Sequence, residues 1–181
     1  MVSGVQRAEQ GPAPPTVEER EPMFDLIELL FFAYRDFVGD PDRILENIGF
    51  GRAHHRVLHF VDRQPGLTIA ELLDILRITK QSLSRVLKEL LDQNYVEQRP
   101  GVSDRRQRRL FTTPEGKRLA RDLARLQTER FTRALGTLGP EARPGAIEFL
   151  LGMIDPQERD KVMQLVWRNG PPAEKGRRHD Q

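Results

Sequence analysis

Two amphipathic helical segments near the middle of the chain are separated by a very short connection. The first, LTIAELLDILRIT, has Thr68 followed three positions later by Glu71, a spacing that predicts a capping box. The second, TKQSLSRVLKELLDQN, has Thr79 as its predicted N-cap and Asn94 as a predicted left-handed C-cap. So short a connection predicts two helices that meet at a turn, with their leucine-rich faces directed inward.

Two short strand patterns, YVEQRP and RQRRLFT, follow these helices and are joined by a turn over 101–104. Helix, short turn, helix and then a basic β-ribbon is the order of a winged helix-turn-helix. We call the ribbon and its turn the wing. Other helices are predicted over Pro22–Phe37, ending at the sequence GDPD, over 52–63, from Thr113-Pro114 to about Leu138, and over about 144–168, with a restart or kink at Asp155-Pro156.

The outward face of the second central helix carries hydrogen-bond donors, small hydroxyl groups and cations. A DNA major groove admits one helix, and its base edges are read by arginine, lysine, glutamine and serine side chains. Acidic residues come only in the second half of this helix, so its start stays attractive to phosphates. The residues of this face that we expect to contact DNA are Lys80, Gln81, Ser82, Ser84, Arg85 and Lys88.

Positive charge is concentrated around the wing. The formal net charge of the chain is only +2, yet residues 51–113 contain twelve Lys or Arg against seven Asp or Glu. A basic segment between acidic ends favours a local anionic partner. We expect the wing arginines to reach the minor groove or its phosphates, with Asp104 orienting Arg106. The wing residues predicted to act on DNA are Asp104, Arg105, Arg106 and Arg108.

Residues 65–119 contain three motifs, NYVEQRP, DRR and TTPEG. Over this region the chain resembles the MarR family of bacterial transcriptional regulators, in which the corresponding motifs are GYVERRP, D-x-R and LTxxG. The helical flanks agree with the family in arrangement. Asn94 stands where the family has glycine, Gln98 where it has arginine, and Thr112 where it has leucine.

The resemblance implies a homodimer in which the terminal helices of two copies interlock and both wings hold one pseudo-palindromic operator. It places the side chains from Thr79 to Lys88 named above in the major groove. It places Arg106 in the minor groove, held by Asp104 and with Arg105 nearby. It also implies a ligand-responsive repressor, although repression or activation depends on where the operator lies relative to the promoter. The alternative is a winged-helix adaptor that binds proteins and does not bind DNA.

The first predicted helix supports a dimer independently, because apolar residues nearly encircle it. A lobe as small as residues 51–113 cannot cover that helix and two long C-terminal helices, whereas a symmetric copy can. The predicted fold is therefore mainly α with a small β-ribbon, a winged helix-turn-helix flanked by N- and C-terminal dimerisation helices. The predicted divisions are a disordered arm over 1–20, an N-terminal dimerisation helix and loop over 21–50, the DNA-binding domain over 51–113, C-terminal dimerisation helices over 114–170 and a mobile tail over 171–181.

Members of the family commonly bind small, often aromatic, anionic effectors between the dimer helices and the DNA-binding lobe. The predicted pocket residues are Phe31, Phe32, Tyr34, His54, His55 and Arg56. Packing explains the aromatic residues equally well. His55 and His59 have a metal-ligand spacing, but no Asp or Glu lies between 53 and 61, and we predict no metal site. Histidines that line the cleft or cap the helix start are the preferred interpretation.

The sequence contains no cysteine, which excludes disulfides, thiolate catalysis and thiol-based redox sensing. It has no nucleophile elbow, Gly-rich phosphate loop or paired-carboxylate motif, so no enzymatic activity and no cofactor are predicted. The N-terminal segment lacks the apolar run of a signal peptide, and no apolar stretch is long enough to span a bilayer. We therefore expect a soluble, cytoplasmic protein.

Overall fold

The computed structural model describes residues 21–101 and 106–168 of the chain. Residue contacts divide the chain into two units, one ending at Leu123 and the other beginning at Ala124. The predicted mainly α fold with a small β-ribbon and a winged helix-turn-helix is confirmed. The elements are α1 (Phe24–Glu46), α2 (Arg52–Arg63), β1 (Leu67–Thr68), α3 (Ile69–Leu76), α4 (Lys80–Asp92), β2 (Val96–Pro100), β3 (Arg108–Thr112), α5 (Pro114–Gly136), α6 (Ala142–Gly152) and α7 (Pro156–Val166).

Helix α1 is longer than predicted, because it does not stop at the sequence GDPD. It continues through Pro41 to Glu46. A proline inside a helix removes one backbone hydrogen bond and costs about 3 kcal/mol. Val38, Pro41 and Leu45 are all buried on the same side of the helix. Since each buried aliphatic side chain contributes about 1.5–3 kcal/mol, their burial offsets the cost of the proline and the helix persists.

The core of the first unit lies between helices α2, α3 and α4 and the sheet. Its largest fully buried members include Leu58, Leu72, Leu83, Leu90 and Leu110. Four of them lie on the inward faces of the three helices, and Leu110 lies on the central strand of the sheet. This shared core holds α3 and α4 as one rigid pair.

The helix starts in the first unit follow the predicted capping chemistry. The Thr68 hydroxyl accepts the Glu71 N–H at 3.2 Å, and the Glu71 carboxylate accepts the Thr68 N–H at 2.8 Å. Thr79 caps α4 by accepting the Ser82 N–H at 3.1 Å. Between the two helices, Arg77 takes a left-handed conformation with φ 52°. The predicted starts of α3 and α4 are therefore confirmed.

The three strands form an antiparallel sheet in the order β1-β3-β2. Strands β2 and β3 pair from Val96 opposite Thr112 to Pro100 opposite Arg108, as the two strand patterns predict. Strand β1 was not predicted. It contains only two residues, too few to show an alternating pattern, and it exists because Leu67 pairs with Leu110.

The second unit consists of the C-terminal part of α5 with α6 and α7. The predicted restart at Asp155-Pro156 is confirmed: the Asp155 carboxylate accepts the Gln157 N–H at 3.0 Å, and Pro156 lies in the first turn of α7. Neither α6 nor α7 contains a buried residue, and Phe149, Leu150 and Met153 are exposed. Of the helices in the described ranges, none is both long enough and apolar enough to cross a membrane.

Candidate nucleic-acid interface

Helix α4 directs toward solvent the six of its side chains that are predicted to contact DNA, and Thr79, the seventh predicted residue, is exposed just before the helix. Lys80, Gln81, Ser82, Ser84, Arg85 and Lys88 are all exposed. The opposite face is aliphatic and buried, through Leu83, Val86, Leu87 and Leu90. The first turn contains no acidic residue, so the N–H groups and cations there can attract an anion together. Whether these residues contact DNA stays a prediction.

Two cations of α4, Arg85 and Lys88, are paired with acids one turn later on the same helix. Lys88 forms an ion pair with Asp92, and Arg85 Nε donates to Glu89 Oε1 at 3.2 Å. The hydrogen bond to Asp92 raises the pKa of Lys88, so the ammonium stays charged at neutral pH. Exposed pairs of this kind contribute little stability. A phosphate can therefore replace the carboxylate as the partner of the cation at small cost.

The arginines of the wing have different surroundings. Arg106 and Arg108 are exposed and line a shallow cleft of about 310 Å³ with the N-terminal residues of α3. Arg109 is half-buried, and its Nη1 donates to the Gly66 carbonyl at 3.1 Å, so it has a structural role. Asp104 and Arg105 lie outside the described residues. The prediction that Asp104 orients Arg106 is therefore untested.

Glu89 is a site residue that sequence reasoning missed. One carboxylate oxygen accepts from Arg85, and the other lies 2.8 Å from Nε2 of His54 on α2. These two hydrogen bonds lower the pKa of Glu89, that from His54 having the larger effect, so the carboxylate is ionised at neutral pH. The i,i+4 spacing of Arg85 and Glu89 was a usable signal. Nothing in the sequence pointed to the contact with His54.

The predicted effector-pocket residues lie on two helices. Phe31, Phe32 and Tyr34 are exposed on α1, whereas His54 and His55 are buried in α2. His54 Nδ1 accepts the Gly51 N–H at 3.1 Å, so this histidine caps the start of α2, as the preferred interpretation of the histidines expected. The sixth residue also has a structural bond: Arg56 Nη2 donates to the Leu76 carbonyl at 3.0 Å and caps the end of α3. A pocket formed by these side chains stays a prediction.

Two further histidines lie on α2, His55, which is buried, and His59, which is half-buried. Burial lowers the pKa of His55, and the nearby His59 lowers it further. Burial also lowers the pKa of His59, with a smaller contribution from Arg63. Both rings are therefore held neutral. Within the described ranges, no three His, Cys, Asp or Glu side chains are grouped so that they could hold a metal ion.

The neutral histidines predict that the protein loses stability as the pH falls. A histidine whose pKa is lower in the folded state stabilises the fold above its unfolded value, near 6.5, and that stability is lost as the pH falls toward the folded value. We expect the melting temperature to decrease between pH 7.5 and pH 5. The double variant His55→Gln, His59→Gln should show a shallower decrease at the same protein concentration. An equal slope in both proteins would contradict this assignment.

Comparison with known proteins places this geometry in a family. A family model described as MarR family matches residues 48–107, which include α2, β1, α3, α4 and β2 and end one residue before β3. The HTH-type transcriptional regulator PetP of Rhodobacter capsulatus is 48% identical over 139 residues. The aligned region covers 77% of this chain and 84% of that relative.

Solved structures with the same fold include three transcriptional regulators. A structure of the transcriptional regulator SlyA matches with a TM-score of 0.61 at 17% identity, and the match covers 77% of this chain and 95% of that one. A structure of MarR matches with a TM-score of 0.59 at 18% identity, and the match covers 84% of this chain and 100% of that one. The structure of a MarR transcriptional regulator from Methanosarcina mazei Go1 matches with a TM-score of 0.60 at 24% identity. That match covers 72% of this chain and 92% of the other. The structures establish the fold. The family-model match and the identity to PetP together show that this chain belongs to the MarR family of HTH-type transcriptional regulators and is not an enzyme.

Proposed function

We propose that this regulator binds a pseudo-palindromic DNA operator as a homodimer, with α4 in the major groove and the wing arginines in the minor groove. The observation that carries the proposal is the division of α4 into two faces. Cations and hydroxyl groups face solvent, while the leucine-rich side is buried in the core. A helix supported in this way can enter a groove without changing its shape.

The N-terminal end of α4 supports the same orientation. Thr79 Oγ1 accepts the Ser82 N–H and donates to the Ser82 hydroxyl at 2.9 Å, which shapes the first turn. Lys80 and Gln81 then extend from that turn, where the helix dipole favours a phosphate or a base acceptor. On the wing, Arg106 and Arg108 add exposed positive charge, and the proposal includes Arg105 and Asp104 beside them.

The homodimer is proposed because much of α1 is apolar and exposed in the single chain. Phe24, Leu29 and Phe31 are 63–67% exposed. A helix with such a surface needs a partner, and a second copy supplies an identical one by two-fold symmetry. A symmetric pair would also present two copies of α4 to two operator half-sites. The exposed apolar residues of this segment, Met23 to Tyr34, are Met23, Phe24, Leu26, Ile27, Leu29, Leu30, Phe31, Phe32 and Tyr34.

The proposal extends to repression that responds to a small aromatic or anionic effector, as in the resembling family. The aromatic residues Phe31, Phe32 and Tyr34, with His54, His55 and Arg56 on α2, stay the predicted pocket. A dimer bound over a promoter excludes RNA polymerase sterically, so the operator's position determines the sign of regulation. The alternative is a winged-helix adaptor that binds only proteins. Such an adaptor would not bind DNA even at low salt.

A salt series separates DNA binding from the adaptor. The probe is duplex DNA from upstream of the protein's own gene, with a scrambled duplex beside it, and binding is followed by fluorescence anisotropy. We expect affinity to fall steeply with salt, with a slope of about −0.9 for each phosphate contact. Arg106→Ala and Lys80→Ala should each make the slope shallower by about 0.9 per subunit if the lost side chain contacts a phosphate.

The matched control is Arg143→Ala, which removes the same charge from an exposed position on α6, outside the helix-turn-helix and the wing. It should leave both the affinity and the salt slope unchanged. No binding by the unmodified protein at low salt would favour the adaptor. An equal loss of affinity in all three variants would mean that the net charge of the protein binds DNA, and not the proposed surface.

A further inference from the structure

We propose that Glu89 is a positioning residue that orients Arg85 for reading a base, and that His54 anchors Glu89 from the neighbouring helix. The inference rests on the proposed DNA-binding function and adds a specificity-determining device to it. It concerns a carboxylate on the DNA-facing helix, a group that would otherwise only repel the phosphates of DNA.

A chain of hydrogen bonds joins the start of α2 to the exposed face of α4. The Gly51 N–H donates to His54 Nδ1 at 3.1 Å, which leaves Nε2 as the protonated nitrogen of the neutral ring. That nitrogen lies 2.8 Å from Glu89 Oε2, to which it donates. Glu89 Oε1 accepts from Arg85 Nε at 3.2 Å. Each group in the chain therefore has a partner that determines its orientation.

The inner end of this chain is rigid and the outer end is exposed. The His54 ring is only 9% exposed and stacks on Phe50, with 4.5 Å between ring centroids and 8° between planes. Phe50 is itself buried and contacts the Tyr95 ring edge-on at 5.2 Å. The Arg85 side chain, in contrast, is 84% exposed. The packed His54 ring thus fixes the position of Glu89, and Glu89 in turn orients an arginine that is otherwise surrounded by solvent.

The other acid on α4 lacks such an anchor. Asp92 pairs with Lys88 at the same i,i+4 spacing, but in the described part of the chain its carboxylate bonds no side chain of another element. An exposed pair on one helix restrains both side chains only weakly. Glu89 and Asp92 are therefore a natural comparison, because they have the same charge and the same kind of cationic partner and differ in the contact to α2.

The geometry of the arginine suits recognition of a base. The hydrogen bond to Glu89 uses Nε, so both terminal nitrogens of the Arg85 guanidinium remain available as donors. Two such donors match the O6 and N7 acceptors of guanine in the major groove. Because the orientation exists before DNA binds, less rotamer freedom is lost on binding. Glu89 also repels phosphates, which weakens binding to unrelated DNA, so both effects raise the ratio of specific to non-specific affinity.

The test compares Glu89→Gln with the matched control Asp92→Asn. The probes are the consensus duplex that the unmodified protein selects from a randomised duplex library, its single-base-pair variants, and a scrambled duplex. We expect the unmodified protein to discriminate about tenfold or more at one base pair of each half-site. Glu89→Gln should lose most of that discrimination and bind the scrambled duplex more tightly. Asp92→Asn should bind the scrambled duplex more tightly and keep the discrimination.

A double-mutant cycle with Arg85→Ala shows whether Glu89 acts through the arginine. Arg85 is exposed, so its variant should fold, and it should lose the same base-pair discrimination as Glu89→Gln. Adding Glu89→Gln to Arg85→Ala should then change discrimination no further. If Glu89→Gln discriminates as well as Asp92→Asn does, the inference is wrong while DNA recognition stands. If the unmodified protein selects no consensus, the proposed function fails and the inference fails with it.

Discussion

Replacing Gly116 with alanine should destabilise the unit that ends at Leu123 by about 3 kcal/mol or more, the range of severe single substitutions. An added Cβ would lie 1.9 Å from the Tyr95 carbonyl oxygen and 2.8 Å from its carbonyl carbon. These backbone atoms cannot easily move, because the Tyr95 carbonyl accepts the Thr113 N–H at 3.1 Å and the Tyr95 N–H donates to Leu90 at 2.9 Å. Thermal unfolding should show a decrease of more than about 10 °C.

Gly136→Ala is the matched control, since it makes the same change at the other end of the same helix. A Cβ at Gly136 would meet nothing within 4 Å. Alanine is favoured over glycine in a helix by up to about 1 kcal/mol, so this variant should melt at or slightly above the temperature of the unmodified protein. Equal melting temperatures for the variants at 116 and 136 would contradict the close approach to Tyr95.

The TTPEG motif around this glycine illustrates what the sequence can and cannot reveal. Thr113 and Pro114 indicated a helix start, and α5 does begin there. The Thr113 hydroxyl accepts the Gly116 N–H at 3.0 Å, a local contact, and donates to the Asn94 carbonyl at 2.6 Å, a contact between distant parts of the chain. That position 116 must be glycine follows from the close approach of the Tyr95 carbonyl, which no local pattern encodes.

Helix boundaries in the helix-turn-helix could be predicted because their chemistry is local. The capping interactions of Thr68 and Thr79 act over three residues, so the sequence alone reveals them. Asn94 also takes the predicted left-handed conformation, with φ 60°. The continuation of α1 through Pro41 could not be predicted in this way, because it depends on burial of that segment in the core.

In the candidate interface too, local features could be predicted from the sequence and long-range contacts could not. The periodicity of Leu83, Val86, Leu87 and Leu90 determines which residues of α4 face solvent, so the exposed set was predictable. The contact between His54 and Glu89 joins residues 35 positions apart, and only the fold brings them together. The predicted pairing of Asp104 with Arg106 lies partly outside the described residues and stays a prediction.

The proposed dimer depends on apolar surface that the single chain leaves exposed. In α1, Leu29 and Phe31 are 63% and 67% exposed, although apolar side chains of this size are usually buried. Contiguous exposed apolar residues of this kind mark an interaction surface. Two-fold symmetry doubles the effect of any change there, because each substitution occurs once in each copy. A single charge on α1 should therefore be enough to separate the copies.

Leu29→Glu is expected to convert the dimer into monomers. Each copy would lose the burial of one leucine, worth about 2 kcal/mol, and would place an unpaired carboxylate in the interface. Two such changes should weaken dimerisation by about a thousandfold or more, and operator binding should fall because half-sites would be bound singly. Sedimentation analysis measures the mass, and circular dichroism verifies folding. Asn47→Glu, which adds the same charge at an exposed position after α1, should stay dimeric. A dimeric Leu29→Glu variant would show that α1 does not form the interface.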